Sequence, residues 1–193
     1  DFPQLLHVFA AGNSGGDLCI PFPQGYQTVL GGYQSAKNVI TVANADGQNI
    51  FGSSSAGPVR DGRLKPEIAA QGTNVVSTDA QYPANAYYNE IGTSMSSPAV
   101  AGGLALLYQR YRQLNGGANP PGALIKALLL NGAGDRGTPG PDYRWGYGFM
   151  NLQRSLLMLE GSRFAERQLS NGDTREINIT VPPGTGLLKV MLY

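Results

Sequence analysis

Cysteine and histidine each occur only once among the 193 residues. The single cysteine, Cys19, cannot form an intramolecular disulfide, and without a second cysteine or a histidine cluster it is a poor zinc ligand. We expect this thiol to be buried and inert, because free cysteine is among the most buried residue types. The single histidine, His7, is the sole candidate wherever a reaction needs an imidazole base.

Charge and long apolar runs are also scarce. Charged residues make up 14% of the chain, and the formal net charge is +1 without a clustered lysine and arginine stripe. Such a balance offers no electrostatic footprint for nucleic acid or for an anionic membrane. No apolar run approaches the ~18 residues that a membrane helix requires. We therefore expect neither nucleic acid nor a membrane as a partner.

Apolar residues and turn formers are plentiful instead. The chain is 41% hydrophobic, with 27 glycines and 13 prolines, a composition typical of a tightly turned globular protein rather than a helical bundle. The first residues, Asp1 to Pro3, run almost at once into an apolar strand with no signal peptide or initiation region before it. We therefore expect the chain to be a piece of a longer protein.

Short apolar segments followed by turn residues predict a parallel sheet. Leu5 to Ala11 and the β-branched run from Asn38 to Asn44 have the continuous hydrophobicity of strands that are buried on both faces. Pro66 to Ala70 and Thr73 to Ser77 give two further extended pieces. The Ser/Gly-rich stretch from Phe51 to Arg63, which lies between the second strand and Pro66, predicts a surface loop.

Three segments have a helical pattern. The longest begins at Thr93 and continues to Leu114, and its Gly102-Gly103 pair predicts close packing, since each glycine costs about 1 kcal/mol relative to alanine. The other two helices are predicted from about Pro121 to Leu130 and from about Leu152 to Leu159.

The last thirty residues change character. Ile177, Ile179 and Val181 alternate with polar residues before a turn, and a second alternating stretch follows, which predicts an antiparallel hairpin. We interpret residues 164–193 as the beginning of a C-terminal β-sandwich domain, and residues 1–163 as part of a separate α/β domain.

The segment AAGNSGG contains G-x-S-x-G, the pattern of an esterase nucleophile. That fold delivers its partners in the chain order serine, acid, histidine, but His7 lies upstream of Ser14. The chymotrypsin order requires an acid between the histidine and the serine, and none of the six residues between His7 and Ser14 is acidic. Neither interpretation makes Ser14 a nucleophile.

The segment GTSMSSPAVAG, residues 92–102, places a serine in the first turn of the longest helix. Helix capping by Thr93 or Ser94 would be the ordinary explanation, but this segment resembles the nucleophile motif of the subtilisin-like serine proteases. VFAAGN, KPEIAAQG and WGYGFMNLQRS resemble further motifs of that family in the same order, over roughly residues 5 to 160. Ala99 and Gln71 depart from the family pattern, at positions where many members have histidine and proline, and neither is a position of the catalytic triad.

The resemblance implies a fold, an activity and a set of residues. The fold would be a three-layer α/β sandwich with a mainly parallel sheet, here incomplete. Ser94 would be the nucleophile of an acyl-enzyme mechanism, and Asn13 would stabilise the oxyanion together with the Ser94 N–H. Protein or peptide would be the substrate, the location would be extracellular, and no cofactor would be needed. The implied substrate-binding residues are Ala11, Gly12, Gly15, Gly92 and Thr93.

The family's catalytic aspartate and histidine are absent, although both should precede Ser94. His7 lies within the strand leading to Asn13, so we expect it to pack rather than to act as a base. The chain resembles the C-terminal part of a subtilase catalytic domain, expected to be inactive alone and to have the missing N-terminal half as a possible partner. The alternative is a catalytically dead binding or scaffold module. Asp135 and Asp142 flank a loop that could hold structural calcium, but isolated acids in turns are usually solvated, and we assign no metal.

Overall fold

A computed structural model describes residues 2–79 and 86–193. Its main sheet has three parallel strands in the order β1-β2-β3, formed by β1 (His7–Ala10), β2 (Val39–Ala45) and β3 (Ile68–Gln71). All seven residues of β2 are buried, which explains the uninterrupted apolar run in the sequence. A separate antiparallel pair consists of β4 (Val75–Thr78) and β5 (Tyr87–Glu90). The α/β class and the parallel sheet are as predicted.

The three predicted helices are present. They are α1 (Thr93–Leu114), α2 (Gly122–Gly132) and α3 (Leu152–Glu160). Their apolar residues share one core with a single face of the sheet, the face of Ile40 and Val42. The opposite face packs Ala43 and Ala69 against Trp145, which lies outside the helices. Within the described ranges, one helical layer therefore lies against the sheet.

The glycine pair inside α1 divides into two cases. A Cβ atom at Gly103 would lie 2.8 Å from the Leu152 side chain of α3, so this glycine permits the close approach that its sequence predicts. A Cβ atom at Gly102 would meet nothing within 4 Å, and the prediction of close packing is wrong there. The contact of Gly103 with Leu152 therefore sets how closely α3 approaches α1.

Three buried charges connect the sheet with α2. Glu67 forms an ion pair with Lys65 and a second one, over 3.3 Å, with Lys126. The side chains of these residues are 8%, 1% and 2% exposed, respectively. Burial holds the pKa of Lys65 below its usual range, and the neighbouring Glu67 carboxylate opposes that shift. One carboxylate thus faces two lysine side chains inside the protein.

The structure corrects three sequence-based predictions. Residues 161–193 contain turns but no strand, so the predicted hairpin is absent and Ile177, Ile179 and Val181 are exposed. The stretch predicted as a surface loop is buried from Ser54 to Val59. Cys19 is half-buried rather than buried. The division at residues 163 and 164 stays a prediction.

Among the described residues, no helix has both the length and the apolar character needed to cross a bilayer.

Candidate active site

The candidate site lies where the carboxyl ends of the parallel strands meet the start of α1. The loop after β1 carries Asn13, and the turn after β3 contains Gly72, whose carbonyl oxygen accepts a 2.9 Å hydrogen bond from the Gly92 N–H. Gly92 immediately precedes α1. The Asn13 loop and the start of α1, which are far apart in the sequence, thus lie at the same edge of the sheet. Open α/β sheets usually bind ligands at this edge.

Asn13 is held by its carboxamide oxygen. Oδ1 accepts one hydrogen bond from the Thr93 N–H and another from the Thr93 hydroxyl, each 3.1 Å long. The same hydroxyl accepts a 3.2 Å hydrogen bond from the Gly12 N–H. Thr93 itself is 0% exposed, whereas Asn13 is exposed. The carboxamide is therefore oriented by a buried partner, and its Nδ2 is left as the donor that can bind something else.

Ser94 is the exposed second residue of α1. Its backbone N–H belongs to the first turn, where no intrahelical acceptor exists and the helix dipole favours negative charge. The position that a Cβ atom at Gly92 would occupy lies 3.4 Å from Asn13 Nδ2, 3.7 Å from Asn13 Oδ1 and 3.8 Å from the Ser94 nitrogen. Both nitrogen atoms therefore lie within 4 Å of one point at the start of the helix that carries Ser94, an arrangement able to place two N–H donors on one oxyanion.

The loop that carries Asn13 lies directly against residues 52–55. The Gly15 N–H donates to the Ser53 carbonyl oxygen over 2.8 Å, and a Cβ atom at Gly15 would lie 2.4 Å from the Ser54 carbonyl oxygen. Only glycine permits this approach of two backbones. Ser14 is half-buried, and its N–H donates to the Ser55 hydroxyl. Ser14 is thus bound as part of this loop.

His7 lies at the opposite end of β1 from this site. It is exposed at the first position of the strand, pairs in register with Val39, and its ring stacks on Phe9 at 6.3 Å between centroids. Ser94 lies at the carboxyl end of the same sheet. The structure thus gives His7 the packing role expected of it and does not bring it to the candidate nucleophile.

The implied substrate-binding residues divide by exposure. Gly12 is half-buried at the site, whereas the other members of the set are buried: Ala11, Gly15, Gly92 and Thr93. The Thr93 side chain is used internally, on Asn13 and Gly12. Its support of Asn13 is a function that the sequence analysis did not predict. Its position next to Ser94 was the available signal, but only the fold shows that Asn13 is its partner.

Asp135 and Asp142 both organise turns. Asp135 Oδ2 accepts a 2.8 Å hydrogen bond from the Gly140 N–H. Asp142 Oδ1 accepts bonds of 2.7 and 2.8 Å from the N–H groups of Arg144 and Trp145. In the ranges 2–79 and 86–193, no group of three or more His, Cys, Asp or Glu residues could hold a metal ion.

A cleft of about 660 Å³ lies near the loop that follows Gly25. Its lining includes Cys19 and the apolar Val29 and Val59, together with the charged residues Arg60, Asp61 and Arg63. Tyr33, in this loop, is 77% exposed and stacked on Phe9 at 5.8 Å between ring centroids.

Comparison with known proteins finds a matching protein family and several related proteases. The model of the subtilase family, Peptidase S8, matches residues 3–148. The minor extracellular protease Vpr of Bacillus subtilis is 39% identical over 101 residues, which are 49% of this chain and 11% of the relative. Subtilisin DY of Bacillus licheniformis is 38% identical over 112 residues, which are 58% of this chain and 35% of the relative.

A solved protease structure is similar to this chain as well. The CspB protease of Clostridium perfringens superimposes with a TM-score of 0.62 and 30% identity, over 72% of this chain and 30% of that one. The chain therefore spans between about a tenth and about a third of the length of these three proteins.

Proposed function

Because the chain belongs to the subtilase family, we propose that the protein containing it is a serine endopeptidase that cleaves peptide bonds through an acyl-enzyme on Ser94. The observation that supports this most directly is the convergence of Asn13 Nδ2 and the Ser94 nitrogen on the space beside Gly92. The relatives named above are proteases, and the exposed Ser94 stands at the helix end where an oxyanion is favoured.

In this mechanism Ser94 Oγ attacks the carbonyl carbon of the scissile bond, and the carbonyl oxygen becomes an oxyanion. Asn13 Nδ2 and the Ser94 N–H donate to that oxyanion. Thr93 does not touch substrate, because it is buried, and instead fixes the Asn13 carboxamide. Collapse of the tetrahedral intermediate expels the amine and leaves an ester on Ser94, which water then hydrolyses.

Proton transfer from Ser94 requires a base that is oriented by a carboxylate. His7 lies at the far end of β1, so we assign the base and the acid to residues outside these 193. This assignment makes the isolated chain inactive, since loss of the base removes most of the triad's catalytic contribution, which is about 10⁶ in subtilisin itself. The segment that supplies the two residues is the partner we propose for this chain.

Labelling with a fluorophosphonate probe tests the proposal, because the probe phosphonylates only an activated serine. We expect Ser94 to be labelled in the full-length protein and unlabelled in the 193-residue chain, with mass spectrometry locating the modified residue. A Ser94→Ala variant of the full-length protein is the control and should stay unlabelled. Absence of labelling in the unmodified full-length protein would contradict protease activity and support a catalytically dead binding module.

We also propose that the protein is extracellular. The support is the name of one relative, the minor extracellular protease Vpr. Fractionation of cells that express the full-length gene tests this, with the protein expected in the medium. Retention of the mature protein inside the cells would contradict it.

A further inference from the structure

Ser55 binds the backbone on both sides of Asn13. Its own N–H donates to the Gly12 carbonyl oxygen over 2.9 Å, and its hydroxyl accepts a hydrogen bond from the Ser14 N–H over 3.0 Å. Ser55 is 1% exposed and lies 41 residues after Ser14, so this is a tertiary contact rather than a local turn. One buried residue, Ser55, therefore binds the backbone of both sequence neighbours of Asn13.

We propose that Ser55 is a positioning residue for the Asn13 carboxamide, an inference that rests on the proposed function. The direction of the Asn13 side chain follows from the backbone conformation at that residue. The preceding residue, Gly12, has φ 106°, in a region that only glycine adopts readily. Since glycine is also the most mobile residue when unconstrained, this turn needs bonds from outside to hold one conformation.

The segment that carries Ser55 is itself fixed to the sheet. Ser54 accepts a 3.0 Å hydrogen bond at its hydroxyl from the Asn44 N–H, and Asn44 is a fully buried residue of β2. On the next position the Ala56 N–H donates to the Thr28 hydroxyl over 2.9 Å. Ser55 thus connects the Asn13 loop to the most buried strand of the fold.

Thr93 and Ser55 act on different parts of the same residue. Thr93 binds the carboxamide oxygen, whereas Ser55 binds the backbone that carries the side chain. Displacement of a catalytic group by about 1 Å can cost about 10²-fold in rate. Loss of one of several supports should cost less, so we expect Ser55→Ala to lower kcat about tenfold and to change KM less than about twofold.

A double-mutant cycle in the full-length protein separates positioning from general stability. If Ser55 acts through Asn13, Ser55→Ala should lower kcat in the unmodified background and change it less than about twofold in the Asn13→Ala background. Ser155→Ala is the matched control, because Ser155 is 0% exposed and its hydroxyl donates to the Leu128 carbonyl oxygen of α2, away from the Asn13 loop. Its effect on kcat should be equal in both backgrounds. An equal effect of Ser55→Ala in both backgrounds would overturn the inference.

Nuclear magnetic resonance on the full-length protein, without substrate, gives a readout that does not depend on activity. Ser55→Ala should shift the Asn13 side-chain NH₂ signals and speed hydrogen exchange at the Ser14 N–H at least tenfold. Ser155→Ala should do neither. Ser55→Thr keeps the hydroxyl acceptor, so the Asn13 NH₂ signals and the exchange rate of the Ser14 N–H should stay near their unmodified values. This variant replaces Ser55→Ala if the alanine variant fails to fold.

The two arms distinguish failure of this inference from failure of the proposed function. If the full-length protein shows no hydrolysis that depends on Ser94, the proposed function fails, and the resonance arm alone decides whether Ser55 positions Asn13. If hydrolysis is present but Ser55→Ala leaves the Asn13 signals and kcat unchanged, the inference about Ser55 fails and the proposed function stands.

Discussion

Asn13 and Thr93 are joined by two hydrogen bonds to the same oxygen atom. Asn13 Oδ1 accepts from both the N–H and the hydroxyl of Thr93, at 3.1 Å in each case. Because both donors occupy the oxygen end of the carboxamide, the nitrogen end stays available as a donor, and Nδ2 lies 3.4 Å from the position that a Cβ atom at Gly92 would occupy, against 3.7 Å for Oδ1. The orientation of the proposed oxyanion donor is therefore determined by the residue that precedes the proposed nucleophile.

Asn13→Ala should lower kcat of the full-length protein by about 10²–10³ with little change in KM, a magnitude borrowed from the corresponding donor of subtilisin rather than derived for this chain. The reason is that the donor acts on the oxyanion and not on the ground-state substrate. Steady-state kinetics on a peptide substrate measures both constants. Asn13→Asp keeps the size but lacks the N–H donor, so it should be at least as impaired, and normal turnover in either variant would refute the assignment.

Thr93→Val should lower kcat by up to about tenfold. The substitution keeps the shape of the buried side chain but removes the hydroxyl, and a hydrogen bond of this kind contributes about 0.5–1.5 kcal/mol. Thr93→Ser keeps the hydroxyl and should stay within about threefold of the unmodified protein. Equal kinetics for the valine and serine variants would show that the hydroxyl does not support Asn13.

Gly15→Ala should destabilise the protein by about 1–3 kcal/mol, the usual cost of forcing extra volume into a packed region. Its Cβ atom would meet two backbone carbonyl oxygens, those of Ser54 and Gly52, at 2.4 and 2.6 Å. Gly16→Ala is the matched control, since a Cβ atom there meets nothing within 4 Å. Urea denaturation of both variants gives the comparison, and equal stabilities would mean that the two backbones are not in close contact.

Glu67→Gln should destabilise the protein by about 3–5 kcal/mol, because it leaves Lys65 and Lys126 buried without a carboxylate. Lys126→Met should cost less, since it leaves one ammonium facing one carboxylate. Urea denaturation at neutral pH compares the two variants. A larger loss for Lys126→Met would show that the charge balance of the cluster is not what stabilises it.

The same cluster sets a pH dependence. Burial lowers the pKa of Lys65 in the folded protein, whereas the unfolded value is about 10.4. Between these two values the unfolded chain binds more protons than the folded chain, so the Lys65 contribution to the free energy of unfolding rises with pH. Glu67→Gln removes the group that opposes the shift, and the rise should begin at lower pH. Denaturation midpoints of Lys65→Met, measured from neutral pH to about 10, should lack this contribution.

The sequence predicts the regular elements of this fold well because their patterns are local. The continuous apolar run of β2 and the helical spacing of apolar residues in α1 can each be recognised within one segment of sequence. The predicted limits of α1, Thr93 and Leu114, agree with the structure. Strand β5, by contrast, was not predicted, because all four of its residues are exposed and lack an apolar pattern. The hairpin predicted after residue 164 is absent, since alternation alone does not supply a surface on which to pack.

Long-range contacts limit what could be predicted about the site. Asn13 and Ser94 were identified through motifs, but their supports were not. Ser55 lies in a Ser/Gly-rich stretch that has the composition of a surface loop, yet it is buried and binds Gly12 and Ser14, which are distant from it in the sequence. Composition describes how a segment interacts with water, and it contains no information about which backbone lies next to it.

Asn13 and Thr93 are separated by 80 positions in the chain. During synthesis the asparagine leaves the ribosome first, and its carboxamide has no orienting partner until the segment with Thr93 has followed and docked. A nascent or partly unfolded molecule therefore carries both residues without the two hydrogen bonds that join them. Under the proposed function, the oxyanion donor is oriented only after the two segments have docked, so cleavage requires a completed fold.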